Sequence, residues 1–338
     1  MTDVAAAGRG ARITPTQGSG DLDLKLEQHR LELTGYCYRM LGSAFEAEDA
    51  VQETLLRAWR SFDRFEGRAA LRSWLYRIAT NVCLTLLDGR RRRARPMDLG
   101  PSSTAESALG PERPEATWIG PIPDGHVLPG DGDPAELAVS RETISLAFVA
   151  ALQHLPPRQR AVLILREVLR WKASEVADLL GTTVASVNSA LERARSTLAA
   201  SNLSASDPVQ PLDEEQRVLV ARFADAFERY DIESLVSLLH DDATQTMPPF
   251  EMWLRGPAEI GRWMLGAGIG CRGSRLIPVR ANGSPGFGQY RPSGPGGRHE
   301  PWALHVLELS AGRIIGINAF LNTTSLFPLF GLPPRPEP

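Results

Sequence analysis

The hydrophobic period of this chain changes partway along it, and that change limits the folds open to it. Up to about residue 200 the apolar residues recur every three or four positions. From about residue 243 they alternate in short segments separated by Gly and Pro. A recurrence of three to four aligns side chains along one stripe of a helix, whereas alternation puts them on one face of a strand. Helices first and strands afterwards predict a multidomain chain: all-α modules, then an α+β module with a curved antiparallel sheet packed on helices.

The helical part divides in two. Leu24 to Leu41 reads as a helix ending near Gly42. A second helix carries the stripe Val51, Leu55, Ala58, Trp59 and Phe62. Glu46, Glu48 and Asp49 crowd its start, where negative charge complements the macrodipole. Gly67 separates it from a third stripe of Leu71, Trp74, Leu75, Ile78, Ala79, Val82 and Leu86. Residues 22–95 are thus expected to form one compact helical module. Pro96 to Pro134 holds eight prolines and no sustained period, so residues 96–135 read as a flexible, self-repelling acidic linker. Helical period returns at about Glu136 and runs to Ala200, giving a second module over 136–200. A break at Ser201 to Pro211 (linker 201–212) precedes the third module, 213–332. There Glu214 to Leu239 carries an amphipathic helix or helix pair (Val218, Phe223, Phe227, Leu235, Leu238). The strand-like segments are Ala243–Met247, Leu276–Ala281, Phe287–Tyr290, Trp302–Leu309 and Arg313–Phe320.

Charge follows the same division. The 338 residues carry a formal net charge of −3, which taken whole argues against a nucleic-acid binder. Residues 21–95 carry 14 Lys/Arg against 11 Asp/Glu, residues 96–153 carry 2 against 9, and residues 154–205 carry 7 against 4. Two mildly basic modules flank a strongly acidic connector, and the average conceals that segregation. Of the 37 basic residues only Lys25 and Lys172 are lysine, a bias that reflects a GC-rich genome and gives arginine abundance little weight by itself. Cys37, Cys83 and Cys271 lie far apart with no His at metal-ligand spacing. They read as buried, reduced thiols of a cytoplasmic protein, with no metal site and no cofactor. Met1 to Gly20 is small and polar, a disordered leader (1–21) and not a signal peptide. No 18-residue apolar run offers a membrane span.

Three stretches carry chemistry. In Trp171 to Leu198, a short helix Ala173–Leu180 turns Val176, Ala177 and Leu180 inward, and Gly181 stands at a helix stop. A second helix from about Val184 turns Val187, Leu191, Ala194 and Leu198 inward. This is the helix-turn-helix pattern, whose second helix enters the major groove. Its outward residues are Ser186, Asn188, Ser189, Glu192 and Arg193. Ser and Asn hydrogen-bond bases, Glu accepts from a cytosine amine, and Arg193 or Arg195 suits phosphate or guanine. An ordinary helical hairpin with a solvated face shares the pattern. In the second stretch, Arg72, Arg77 and Asn81 project away from the buried stripe, and Arg90-Arg91-Arg92-Arg93-Ala94-Arg95 follows. Five arginines in six residues make a concentrated anion site, for which phosphates are the natural counterpart. Trp74 and Tyr76 nearby suit the stacking of unpaired bases, although periodicity favours a core role for Trp74. The third stretch is an acidic and apolar outer face, Asp49, Gln52, Glu53 and Leu56, that either docks a partner or is simply solvated.

The runs Asp49-Ala50-Val51-Gln52-Glu53-Thr54-Leu55-Leu56-Arg57-Ala58-Trp59 and Arg72-Ser73-Trp74-Leu75-Tyr76-Arg77-Ile78-Ala79-Thr80-Asn81-Val82-Cys83-Leu84 closely resemble region 2 of sigma-70-type RNA polymerase sigma factors. Leu155-Pro156-Pro157-Arg158-Gln159-Arg160 through the helix-turn-helix resembles their region 4. Two regions joined by a linker look like the extracytoplasmic-function (ECF) group. The resemblance implies that Asp49, Gln52, Glu53 and Leu56 dock on the β′ clamp helices of core RNA polymerase. It gives Arg72, Trp74, Arg77 and Asn81 the melting and reading of the −10 element, with Arg90, Arg91, Arg92 and Arg93 on backbone phosphates. Ser186, Asn188, Ser189, Glu192, Arg193 and Arg195 inherit −35 readout, and region 4 the β flap. The acidic linker resembles the connector that passes through the RNA-exit region of the polymerase.

From Glu214 onward the chain resembles the NTF2-like, or SnoaL-like, fold. The matching features are Leu238-Leu239-His240-Asp241-Asp242-Ala243, then Trp253-Leu254-Arg255-Gly256-Pro257-Ala258-Glu259-Ile260, and the late strands. The resemblance implies a cone that modulates the sigma regions, in place of or alongside an anti-sigma protein. Trp253, Trp263, Met264, Phe287, Tyr290, Trp302 and Phe320 are candidates to line an apolar pocket for a small-molecule ligand, or to form plain core. The alternatives are a small-molecule-sensing transcription regulator, or an isomerase- or cyclase-like enzyme fused to a DNA-binding region with His240, Asp241, Asp242, His305 and Glu308 as its titratable groups. The leading expectation is a promoter-specificity factor with no catalytic residues of its own.

Overall fold

The protein is described by a computed structural model over residues 17–65, 70–131, 133–200 and 213–336. Met1 to Thr16 of the expected leader, the break at Gly67 and the linker 201–212 lie outside the described residues.

Helices α1 (Gln17–Glu27), α2 (Arg30–Leu41), α3 (Ala44–Ser61) and α4 (Leu71–Leu87) form the first module. Helix α1 already begins at Gln17, inside the span expected to be a leader. Gly42 ends α2 in the left-handed region at φ 71°, its N–H bonded to the Tyr38 carbonyl, and Ser43 caps α3 by accepting from the Glu46 N–H. Ala47, Val51 and Ala58 of α3 and Leu75, Ala79 and Cys83 of α4 bury against Leu33, Tyr36 and Met40 of α2. Trp59 leaves the predicted stripe and is 49% exposed. It lies one residue past buried Ala58, about 100° further round the helix.

The expected flexible linker is instead a packed strap. Trp118, Ile119, Ile122, Val127 and Leu128 are buried. Ala94 and Trp118 form a parallel bridge, and the Gly120 N–H donates to Gly42 O at 2.9 Å. Its few apolar residues follow no regular period, so neither a helical nor a strand pattern marks them. Its prolines restrict the backbone in advance and lower the entropy cost of pinning an extended segment. The charge excess is partly paired, as in Asp124 with Arg280 at 3.4 Å and Asp98 with Arg95 at 3.8 Å.

Helices α5 (Pro134–Glu142), α6 (Leu146–Gln153), α7 (Pro157–Leu163, running on through a π turn to Val168), α8 (Ala173–Leu180) and α9 (Val184–Ala200) make the second module. The third begins with α10 (Glu214–Arg229) and α11 (Ile232–Ser237), continues through β1 (Leu239–Thr246), β2 (Trp253–Arg255) and α12 (Pro257–Leu265), then β3 (Arg275–Ala281), β4 (Ser284–Gly294), β5 (Arg298–Ser310) and β6 (Arg313–Phe320), and closes with α13 (Thr323–Leu329). The strand order is β2-β1-β6-β5-β4-β3. The sheet is mixed and not wholly antiparallel, because β6 returns alongside β1 in the same direction. Val218 of α10 is 50% exposed, and the buried positions are Leu219, Phe223, Ala226 and Phe227.

Alternation divides the sheet between two cores. Phe287, Ala303, Leu307, Ile317 and Ala319 pack with α10 and α12 inside the cone. Leu304, Val306, Tyr290 and Phe320 belong to the same continuous core as α2, α3 and α4. At the β3–β4 turn, Asn282 and Gly283 both have positive φ (56° and 74°), the two-residue hairpin geometry that Asn-Gly favours. Asn282 is fully buried: its Nδ2 donates to Tyr38 Oη at 2.7 Å and Ile144 O at 2.8 Å, and its Oδ1 accepts from the Ile122 N–H at 3.0 Å. One side chain therefore ties the cone to α2, to the strap and to the start of the second helical module.

Candidate nucleic-acid interface

The helix-turn-helix is assembled from α8 and α9. Gly181 ends α8 at φ 61°, and Thr183 Oγ1 accepts from the Ser186 N–H at 3.1 Å to cap α9. Val187, Leu191 and Ala194 anchor α9. Ser186, Asn188, Ser189, Glu192, Arg193 and Arg195 are all exposed. Arg195 pairs with Glu167 at 2.5 Å, and this surface pair is worth less than about 1 kcal/mol. The recognition face is open.

The face of α4 is partly engaged, although Arg77 and Asn81 remain exposed. Arg72 Nε donates to Glu32 at 2.7 Å while its guanidinium lies 5.1 Å from the Tyr76 ring and 5.5 Å from the Trp171 ring. Tyr76 and Trp171 are themselves in contact, with ring centroids 5.1 Å apart. Arg77 Nη2 donates to the Asp178 carbonyl of α8 at 3.1 Å. Trp74 is half-buried against Phe65 at 4.9 Å and Phe62 at 6.4 Å, and Asn81 is exposed. Glu32, Trp171 and Asp178 thus occupy a surface that the sequence alone presents as free. Buried Arg160 fastens the same two modules: it donates to Met40 O of α2, to Gln153 Oε1 at 2.7 Å and to Leu155 O at 3.1 Å.

The arginine run splits. Arg91 and Arg92 are exposed, with Arg92 on His154 at 2.5 Å, and exposed Arg90 pairs with Glu46 at 2.7 Å. Arg93 is buried, donating to Glu115 O at 2.9 Å and Trp118 O at 2.6 Å and pairing with Glu46 at 2.8 Å. In this arrangement Arg93 holds the strap and is not offered to a phosphate. The run borders a groove of about 720 Å³ that Arg113 and Glu251 close from the other side. On α3, Asp49 and Gln52 are exposed, Leu56 is 39% and Trp59 49% exposed, and Glu53 pairs with Arg57 at 2.6 Å. Trp59 extends this face beyond the four residues expected.

Inside the cone a cavity of about 50 Å³ is bounded by Phe223, Phe227, Gln245, Trp263, Met264, Gln289, Trp302, His305 and the strap residue Leu109. Of the aromatic candidates, Trp263 and Trp302 line it. Tyr290 and Phe320 do not, because they follow Gln289 and Ala319 on their strands and point to the opposite face. Trp253 sits on β2 at the cone edge, its indole N–H on Gly100 O at 3.0 Å. Phe287 packs on Phe223 with centroids 6.0 Å apart. His240, Asp241 and Asp242 are exposed, Asp242 pairs with Arg255 at 2.8 Å, and no carboxylate is among the cavity-lining residues. Burial pushes the pKa of His305 down to about 4. Among the described residues no group of His, Cys, Asp and Glu could hold a metal ion, and no helix is long and apolar enough to cross a membrane.

An open helix-turn-helix, a basic helical module and a strapped α+β cone define a transcription factor of the sigma type, and comparison with known proteins agrees. Residues 26–93 match the model for Sigma-70 region 2, residues 145–198 that for Sigma-70, region 4, and residues 220–317 that for a SnoaL-like domain. The chain is 48% identical to the ECF RNA polymerase sigma factor SigG of Mycobacterium tuberculosis, covering 98% of this chain and 90% of that protein. It is 29% identical to SigJ of the same organism, over 80% of this chain and 84% of that one. The crystal structure of SigJ superposes with a TM-score of 0.59 at 22% identity, covering 94% of this chain, and so shares its fold. The chain belongs to the ECF group of sigma-70 RNA polymerase sigma factors and carries a SnoaL-like domain at its C-terminal end.

Proposed function

We propose that the chain binds core RNA polymerase through the Asp49, Gln52, Glu53, Leu56 and Trp59 face of α3 and directs it to promoters in the cytoplasm, with α9 reading the −35 element and α4 with the arginine run serving the −10 element. The observation that carries this reading is the capped, fully exposed outer face of α9, which has Asn, Ser, Glu and Arg where base edges are met. The domain division that goes with it is 22–95, 136–200 and 213–332, the first two joined by the acidic strap.

The described arrangement is the resting one. The two promoter elements lie about 25 base pairs apart by their names, or roughly 85 Å at about 3.4 Å per pair. Contact between α4 and α8 through Arg77 and Trp171 is incompatible with reading both at once. The cone favours the closed state through Asn282, so its role is modulatory, and a separate anti-sigma protein is not required for closure. The lack of a carboxylate on the cavity wall favours this over acid–base catalysis. In vitro transcription with core polymerase is the test. The full chain starts transcripts at a cognate promoter and Leu56→Asp abolishes them; failure of the full chain to bind core polymerase would sink the proposal.

A further inference from the structure

The polar groups in the cone form a chain whose direction is set from one end. Ser274 Oγ donates to the Cys271 carbonyl at 2.7 Å, and that acceptor has no alternative role. The Ser274 oxygen therefore accepts from Gln289 Nε2 at 2.9 Å, which turns Gln289 Oε1 toward His305 Nε2 at 2.8 Å. Nε2 must carry the ring proton, so Nδ1 of a neutral His305 is a bare lone pair. Nδ1 is buried without a partner, and the residue is only 6% exposed. Around it lie Phe227, edge-on at 5.5 Å, and the cavity walls Trp263, Trp302 and Met264. An unpaired acceptor in a largely apolar enclosure selects for a donor.

We infer that the cone is a site for a small, one-ring apolar molecule bearing a hydroxyl, phenolic in type, whose O–H donates to His305 Nδ1 and whose ring replaces Leu109 at the mouth. The existing volume of about 50 Å³ admits water but not a ring. Leu109 is the strap residue on the cavity wall, and its neighbours are pinned to the cone by the Ala105 N–H on Glu259 at 2.8 Å and by Arg113 on Glu251 at 2.7 Å. A ligand must displace it. Trp263 Nε1, also a buried donor without a partner on this wall, suits a hydroxyl, ketone or ether oxygen alike. The discrimination therefore comes from His305 Nδ1, which only a hydroxyl satisfies and a ketone or ether leaves unpaired. The consequence for transcription rests on the modulatory reading of the cone, but binding requires neither polymerase nor promoter, so the two fail separately.

Fluorine NMR on the full chain with 4-fluorophenol and 4-fluoroanisole tests the site. We expect saturable binding of the phenol with about tenfold preference over the ether. Leu109→Ala, a change at an exposed position, tightens both several-fold, and His305→Phe removes the preference while leaving ether binding in place. Equal affinity for phenol and ether in the native chain would overturn the inference. So would the absence of saturable phenol binding to both the native chain and Leu109→Ala.

Discussion

Helices α4 and α9, which the proposed function assigns to the same polymer, stand in different conditions. α9 buries one narrow stripe and leaves its polar face to solvent, with its start capped from within. α4 buries a wider face, and the Arg72 and Arg77 that its sequence leaves over are held by Glu32, Trp171 and the Asp178 carbonyl. The difference lies in the neighbours and not in the helices. α9 ends the second module with its outer candidates exposed and Arg195 paired with Glu167, whereas α4 is contacted at Arg77 by α8 and at Tyr76 by the Trp171 that precedes α8. The difference teaches that two faces proposed for one ligand can differ in readiness through intramolecular contact at one of them alone.

The largest effect is expected at the joint between the two modules. Arg160→Ala leaves the carbonyls of Met40, Gln153 and Leu155 without their buried donor and should cost about 3 kcal/mol, seen as a lower urea midpoint. An unchanged midpoint would mean that α4 is not held by this joint. Acid acts from the cone side. The pKa of His305 is depressed from an ordinary 6.5 to about 4, so above pH 6.5 its contribution to stability is complete. As pH falls from 6.5 toward 4 the unfolded chain takes up the proton first, and about 3 kcal/mol is lost. His305→Phe should flatten that part of the pH–stability curve, and an equally steep loss in the variant would refute the assignment.

Next comes the clip. Asn282→Gly keeps the positive φ of 56° while deleting three hydrogen bonds among cone, strap and α2, at roughly 2 kcal/mol. Faster proteolysis within the strap and greater access to α4 are the expected readouts; native-like protection would show that the cone does not set the comparison. The smallest effects separate the helices themselves. Arg193→Ala should weaken binding to a −35 duplex by about tenfold, roughly 1.4 kcal/mol, in the free chain. Arg77→Ala should leave that affinity unchanged, and its own exposed hydrogen bond is worth less than about 1 kcal/mol. A loss of −35 binding in Arg77→Ala would erase the distinction between the two faces.

Much of this was legible in the sequence where physics is local. The α8–Gly181–α9 unit follows from spacing and one left-handed glycine, and the late strands follow from alternation. The three-residue β2 is too short to alternate, and the parallel partnership of β1 with β6 depends on a return path that no local pattern records. The strap misled because proline and acid content describe what a segment does alone, whereas Trp118, Ile119 and Ile122 find their core in another module. The candidate residues of α9 could be placed outward from periodicity. Those of α4 could not, since Glu32, Trp171 and Asp178 lie 40 to 101 residues away along the chain. Within the cone, the sequence left Trp263 and Trp302 open between pocket wall and plain core, and the hydrogen-bond order that leaves His305 Nδ1 unpaired depends on tertiary packing.

The central claim is that α4 is closed by α8 in the free chain and must be released for initiation. Dyes at Thr85→Cys on α4 and Ser174→Cys on α8 read it directly by energy transfer, because the three native cysteines are buried. The account predicts one short distance in the free chain and, on addition of core polymerase and promoter DNA, separation toward the roughly 85 Å that the two elements require. A distance that stays short in a complex that still starts transcripts would contradict it.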